Sequence, residues 1–155
     1  MKQVIDLSVN GEMYELYIEP SRFLRDVLRE DLQLTGTKEA CSSGRCGSCT
    51  VLIDGMAVKS CLILAVQAQG REILTIEGLA TDKLHPLQQA FIDTFAVQCG
   101  YCTPGVILAA KALLDENPRA TEEEIKEGLS GNLCRCTGYT KIVEAVKQVQ
   151  AEMTS

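Results

Sequence analysis

The chain has no tryptophan, a single histidine and few aromatics, 5% of its 155 residues. The lone His85 excludes a Rieske centre, which takes two histidines. It equally excludes a Cys₂His₂ zinc site. Long apolar runs are missing too: the longest, around Cys61 to Ala68, is far below the roughly 20 residues of a membrane span. The start, Met1-Lys2-Gln3-Val4-Ile5-Asp6, has neither an apolar export core nor twin arginines, so a cytoplasmic location is expected. No G-x-G-x-x-G, phosphate-cradling glycine loop or nucleophile–base pattern occurs, so no catalytic residue is assigned, and nucleotide or flavin binding is expected elsewhere. Basic residues are outnumbered, 15 Lys and Arg against 21 Asp and Glu. A net charge of −6 argues against a nucleic-acid partner.

Cysteine is plentiful instead: there are eight. Without an export signal these thiols belong to a reducing compartment, where metal binding or redox chemistry is favoured over disulfides. Cys41, Cys46, Cys49 and Cys61 give C-x₄-C-x₂-C-x₁₁-C, the plant-type ferredoxin spacing for a 2Fe–2S cluster. Four thiolates around two ferric irons leave a dianion, and reduction adds a third negative charge. Such a centre needs backbone N–H groups aimed at its sulfurs. The loop Cys41-Ser42-Ser43-Gly44-Arg45-Cys46-Gly47-Ser48-Cys49 suits this, with small side chains and glycines that permit left-handed turns. Zinc fits poorly, because it favours paired C-x₂₋₄-C units. Arg45 reads as a solvated loop residue.

Cys99, Cys102, Cys134 and Cys136 give C-x₂-C-x₃₁-C-x-C. Spacing leaves two readings open here, a second cluster or a four-thiolate zinc site. Thr103-Pro104 follows Cys102 as a cap and a first helical residue, so free N–H groups and the helix dipole are expected to favour thiolate there.

The pattern along the chain indicates an α+β fold. Alternating residues 4–9 and 13–18 flank Asn10-Gly11, a hairpin signal. Ser21 is expected to cap a helix carrying Phe23, Leu24, Val27, Leu28 and Leu32. Residues 50–53 and 56–58 flank Asp54-Gly55 as a second hairpin, and 71–76 form a last strand. Helical spacing then takes over: Leu84 to Phe95, Thr103 through Leu113, Thr121 to Leu129 with a capping box, and a final helix capped by Thr140 and carrying Ile142, Ala145, Val146 and Val149. The expected division is an α+β domain over 1–78 and an all-α domain over 79–155. His85 reads as a surface residue before Pro86, and Tyr101 and Tyr139 as packing residues with polar tips.

The first loop, Cys41 to Val51, resembles plant-type ferredoxins. Gln98-Cys99-Gly100-Tyr101-Cys102-Thr103-Pro104-Gly105 and Gly131-Asn132-Leu133-Cys134-Arg135-Cys136-Thr137-Gly138-Tyr139 are more specific. Together they resemble the iron–sulfur subunit of the molybdenum hydroxylases, the xanthine dehydrogenase, aldehyde oxidoreductase and carbon monoxide dehydrogenase family, over nearly the whole chain. The resemblance implies a β-grasp ferredoxin domain followed by a four-helix bundle, each with a 2Fe–2S cluster. It implies an electron-relay subunit of an oxidoreductase, with a large molybdenum–pterin subunit and a medium FAD subunit as partners. Electrons would pass from molybdenum to the bundle cluster, then to the ferredoxin-type cluster and the flavin. It also implies pterin neighbours: Gln98, whose amide would face the cofactor, and Cys136, the ligand nearest it. Taken by itself, Gln98 reads as a loop residue capping a helix end. Two other functions compete, a free-standing two-cluster carrier and a zinc-stabilised interaction module.

Overall fold

The computed structural model describes residues 1–154. Both expected hairpins form. β1 (Gln3–Val9) pairs antiparallel with β2 (Glu12–Ile18), and β3 (Thr50–Ile53) with β4 (Met56–Lys59). The turn residues Asn10-Gly11 and Asp54-Gly55 all have positive φ, between 51° and 82°. This is the twist-matched two-residue turn these residue types tolerate. β5 (Glu72–Leu74) runs parallel to β1 and antiparallel to β3, giving a five-stranded mixed sheet in the order β2-β1-β5-β3-β4. It is shorter than the expected 71–76 because the chain turns away at Thr75, whose N–H is taken by Asn10 Oδ1 at 2.9 Å.

α1 (Leu24–Asp26) continues as a π-helical turn, Val27–Asp31. Ser21 does not cap it. Phe23 holds the cap position without a side-chain bond, and the Leu24 N–H donates to the Ile63 carbonyl at 2.7 Å. A backbone carbonyl supplied by the fold thus replaces the side-chain cap. Ile5, Leu7 and Val9 alternate inward from β1 and meet Leu24, Val27 and Leu28, with Val51 and Ile53 of β3, in one hydrophobic core.

Four helices follow: α2 (Pro86–Asp93), α3 (Thr103–Glu116), α4 (Glu122–Gly128) and α5 (Thr140–Met153). The Thr121–Glu124 capping box forms, with reciprocal bonds of 3.2 and 2.6 Å. Thr103 and Thr140, expected as caps, are instead first helical residues. Cys102 and Tyr139 hold the cap positions, and neither side chain caps. α2 is shorter than Leu84 to Phe95. His85, expected on the surface, is half-buried and caps α2, its Nδ1 accepting from the Leu87 N–H at 3.2 Å. Burial lowers its basicity, which keeps the acceptor nitrogen free. Phe95 falls beyond the helix with φ of 57° and is 81% exposed.

β3 joins the two halves. All four of its residues are buried. Val51 and Ile53 point into the sheet core, while Leu52 points into the helical core beside α3. α3 is buried without interruption from Gly105 to Ala110, as a helix wedged between a sheet and other helices must be. Leu52→Ala is expected to destabilise the cluster-loaded chain by about 2–5 kcal/mol, read by urea unfolding. A loss below about 1 kcal/mol would mean that the β3–α3 seam carries little of the stability.

Candidate metal centres

Cys41, Cys46 and Cys49 lie on the loop between α1 and β3. Cys61 arrives on a 3₁₀ turn, Ser60–Leu62, immediately past β4 rather than on a strand. Ser60 fastens that turn to the loop, its N–H and hydroxyl both donating to the Cys49 carbonyl at 3.3 and 2.7 Å. The Cys49 and Cys61 thiols are buried and within hydrogen-bonding reach of each other. Burial pushes the Cys49 thiol up to about 11. Cys41 is exposed, and its sulfur accepts from the amides of Ser43, Arg45 and Cys46 at 3.4–3.5 Å. Those amides, that of Cys46 foremost, draw its pKa down to about 5. The sulfur-directed amides expected of this loop are therefore present. Arg45 is exposed and makes no ion pair within the described residues.

The second set converges at the N-terminal end of α3. Cys99 lies in the α2–α3 loop, Cys102 holds the cap position of α3, and Cys134 and Cys136 lie between α4 and α5. All four line a cavity of about 480 Å3 that also includes Cys46 and Ser48 of the first loop. The thiols meet in pairs, Cys102 with Cys134 and Cys99 with Cys136. Cys102 is pushed up to about 12, chiefly by burial. Burial also acts to raise Cys134, but the Thr137 hydroxyl at 3.1 Å and amide at 3.4 Å outweigh it and bring that thiol to about 7. Among the described residues the donors to Cys134 are the Thr137 hydroxyl and amide together with the Cys136 amide, and the Cys99 amide acts on Cys136.

The two loops touch. The Leu133 N–H donates to the Cys46 carbonyl at 2.8 Å, and Asn132 Nδ2 donates to the Gly47 carbonyl at 3.1 Å. Tyr101, beside Cys102, donates its hydroxyl to the Glu39 carbonyl ahead of Cys41. Tyr139 accepts from the Cys134 N–H at 2.9 Å. Both rings stay exposed rather than packed, and only their hydroxyls are engaged. Gln98 is exposed and its side-chain amide makes no hydrogen bond among the described residues, so it caps no helix end there.

The donor chemistry fits iron–sulfur clusters. Each iron of a 2Fe–2S core takes two thiolates, and the thiol contacts here are pairwise. Among the described residues no three His, Cys, Asp or Glu side chains converge on one point as a mononuclear ion requires. Residues 7–75 match the family described as a 2Fe-2S iron-sulfur cluster binding domain, and residues 75–147 match the [2Fe-2S] binding domain family. The chain is 56% identical over 147 residues to the nicotinate dehydrogenase small FeS subunit of Eubacterium barkeri, covering 94% of each. The chain is a small iron–sulfur subunit of the molybdenum hydroxylase family. Its fold superposes on a chain of quinoline 2-oxidoreductase from Pseudomonas putida 86 with a TM-score of 0.94, at 47% identity, covering 99% of this chain and 95% of that one. It also superposes on aldehyde oxidoreductase from Desulfovibrio gigas with a TM-score of 0.93, at 40% identity, covering 98% of this chain but only 17% of that longer one. As such a subunit it carries two 2Fe–2S clusters and relays electrons within a multi-subunit oxidoreductase that has larger partner subunits. No helix among the described residues is long and apolar enough to cross a membrane.

Sequence reading missed Arg25. Its place between Leu24 and Val27, both inward-facing, is the only signal. The residue is 7% exposed and its guanidinium holds Asp26 at 2.6 Å, Glu39 at 3.3 Å and the Ser42 hydroxyl at 2.7 Å. Its charge also interacts with the Cys61 sulfur. Ser42 has a strained φ of 50°, so this bond helps fix the loop around Cys41. A cation here favours the more negative, reduced cluster. Arg25→Met is expected to lower the midpoint potential of one of the two EPR signals and leave the other in place. Arg25→Lys, which keeps the charge without the planar fork, should restore part of the shift. Equal shifts in both signals would refute a local effect.

Proposed function

We propose that Cys41, Cys46, Cys49 and Cys61 hold one cluster, that Cys99, Cys102, Cys134 and Cys136 hold the other, and that electrons enter at the second set and leave at the first. Bound there, each cluster supplies a one-electron carrier. The observation that carries this reading is the arrangement of the thiols. Each set has an exposed lip, Cys41 in one and Cys99 and Cys136 in the other, while the two loops meet on their inner sides through the Cys46–Leu133 hydrogen bond. One hydrogen bond and a short stretch of backbone therefore link a thiol of one set to a thiol of the other.

The lip at Cys136 is the entry side in this reading. Gln98 directly precedes Cys99, the thiol paired with Cys136, and its amide makes no hydrogen bond among the described residues, which suits a pterin carried by a large molybdenum subunit. The lip at Cys41 would face a medium FAD subunit. Phe95, Tyr101, Leu133 and Tyr139 leave apolar surface around the second set. That favours a permanent subunit interface over a free-standing carrier, because apolar patches of this kind mark protein contacts. Thiolate ligands suit a reducing cytoplasm. The division between the halves is drawn at 78/79 in this reading, which the end of β5 at Leu74 and the place of Leu79 in the helical core support. Substrate chemistry belongs to the partner chain.

The decisive test is metal analysis with EPR on the anaerobically purified complex. About four irons and four acid-labile sulfides per chain, with two distinct signals after dithionite, are expected. Two irons with zinc would refute the second site. Gln98→Ala should retain both clusters and slow their reduction by substrate in the assembled enzyme. An unchanged rate would remove the pterin contact from the electron path.

A further inference from the structure

The two cysteine loops are held together by more than the Cys46–Leu133 bond. Asn132 is 6% exposed. Its Nδ2 donates to the Gly47 carbonyl at 3.1 Å and to Thr50 Oγ1 at 3.2 Å, and Thr50 Oγ1 itself donates to the Gly47 carbonyl at 2.7 Å. Both side-chain N–H groups of Asn132 are thus spent on the segment that joins Cys46 and Cys49 to β3. The backbones approach so closely that no side chain fits between them. A Cβ on Gly47 would strike the Gly131 carbonyl, and a Cβ on Gly105 of α3 would strike the Gly47 carbonyl. Gly47 is therefore gripped from two sides, by α3 and by the loop that carries Cys134.

We infer that Asn132 is a positioning residue for electron transfer: by fastening Gly47 and Thr50 to the Cys134 loop it sets the separation and coupling of the two clusters. The inference rests on the two-site reading above. Asn132 makes no hydrogen bond to either set of thiols, and among the described residues its carboxamide bonds only to Gly47 and Thr50. Its amide is buried, and without it the Gly47 carbonyl keeps only the donors of its own segment, the Thr50 N–H at 3.0 Å and the Thr50 hydroxyl at 2.7 Å, so the side-chain tie between the two loops is lost. The loops would then be joined chiefly by the Cys46–Leu133 bond. A smaller perturbation of the same contact is available in Thr50→Val, which removes one acceptor of Asn132 and one donor to Gly47 at nearly constant volume.

The test is EPR of the doubly reduced complex, in which each 2Fe–2S cluster carries an unpaired spin and their mutual splitting reports separation. Iron and sulfide are counted on the same samples. Asn132→Ala should keep the wild-type iron and sulfide content and change the splitting, and Thr50→Val should change it less in the same direction. A merely structural Asn132 would lower thermal stability or cluster loading and leave the splitting of the loaded fraction as in the wild type, which overturns the inference. Where Asn132→Ala does not load, Thr50→Val decides, and an unchanged splitting in it refutes the inference. A wild-type complex lacking two clusters would fail the site assignment itself, a separate result read from the iron count.

Discussion

At Gly47 the first cysteine loop, α3 and the α4–α5 loop come into close backbone approach. The Gly47 carbonyl accepts from Asn132 and Thr50, and Gly47 lies against Gly105 of α3 and Gly131 of the α4–α5 loop. Only glycine permits this, because a Cβ at Gly47 or Gly105 would meet backbone, which cannot rotate aside. The contact forces the first cysteine loop onto the second. It also fixes β3, which starts three residues later and presents Leu52 to α3. The sheet, the bundle and both thiol sets are therefore placed by one close backbone approach.

Around this point the environment is graded. Cys49, Cys61, Cys102 and Cys134 turn inward, while Cys41, Cys99 and Cys136 reach the surface. Burial raises the thiols of Cys49 and Cys102. Amides and the Thr137 hydroxyl lower those of Cys41 and Cys134. A site built to hold an anionic cluster needs both features: donors that stabilise thiolate, and a low-dielectric wall that keeps water from the metal. Arg25, paired with Asp26 and Glu39, brings a buried cation to one set only. The two sites therefore differ in electrostatics as well as in fold, which is what a directional relay requires.

The parts of the fold legible in the sequence were those decided locally. Asn10-Gly11 and Asp54-Gly55 dictate hairpins because their own φ preferences do so. Thr121 and Glu124 satisfy each other's donors without outside help. Ser21, Thr103 and Thr140 misled for the opposite reason. At Ser21 the helix donor was met by the Ile63 carbonyl, just past the 3₁₀ turn that carries Cys61, a partner with no trace in the local pattern. Leu84 and Phe95 continued the helical period of α2, yet the His85 cap and a left-handed residue at Phe95 cut the helix short. Sulfur donors were anticipated correctly in the Cys41 loop, where small residues surround the thiol. In the second set the α4–α5 loop adds donors that the pattern around Thr103 did not show, the hydroxyl and amide of Thr137 on Cys134.

The sequence by itself determined the chemistry: eight cysteines in two spacings, one histidine, and motifs around Gln98–Gly105 and Gly131–Tyr139 that identify the family. Residue type and spacing suffice for that, because thiolate ligation is a property of the side chain and of short loops. Tertiary structure decided how the two sets face each other, which thiols pair and which lie at the surface. It also brought in Arg25 and Asn132, whose partners Ser42 and Gly47 lie 17 and 85 positions away in the chain. Contacts of that range depend on the packing of β3 against α3, and packing is a relation among distant residues that no local pattern encodes.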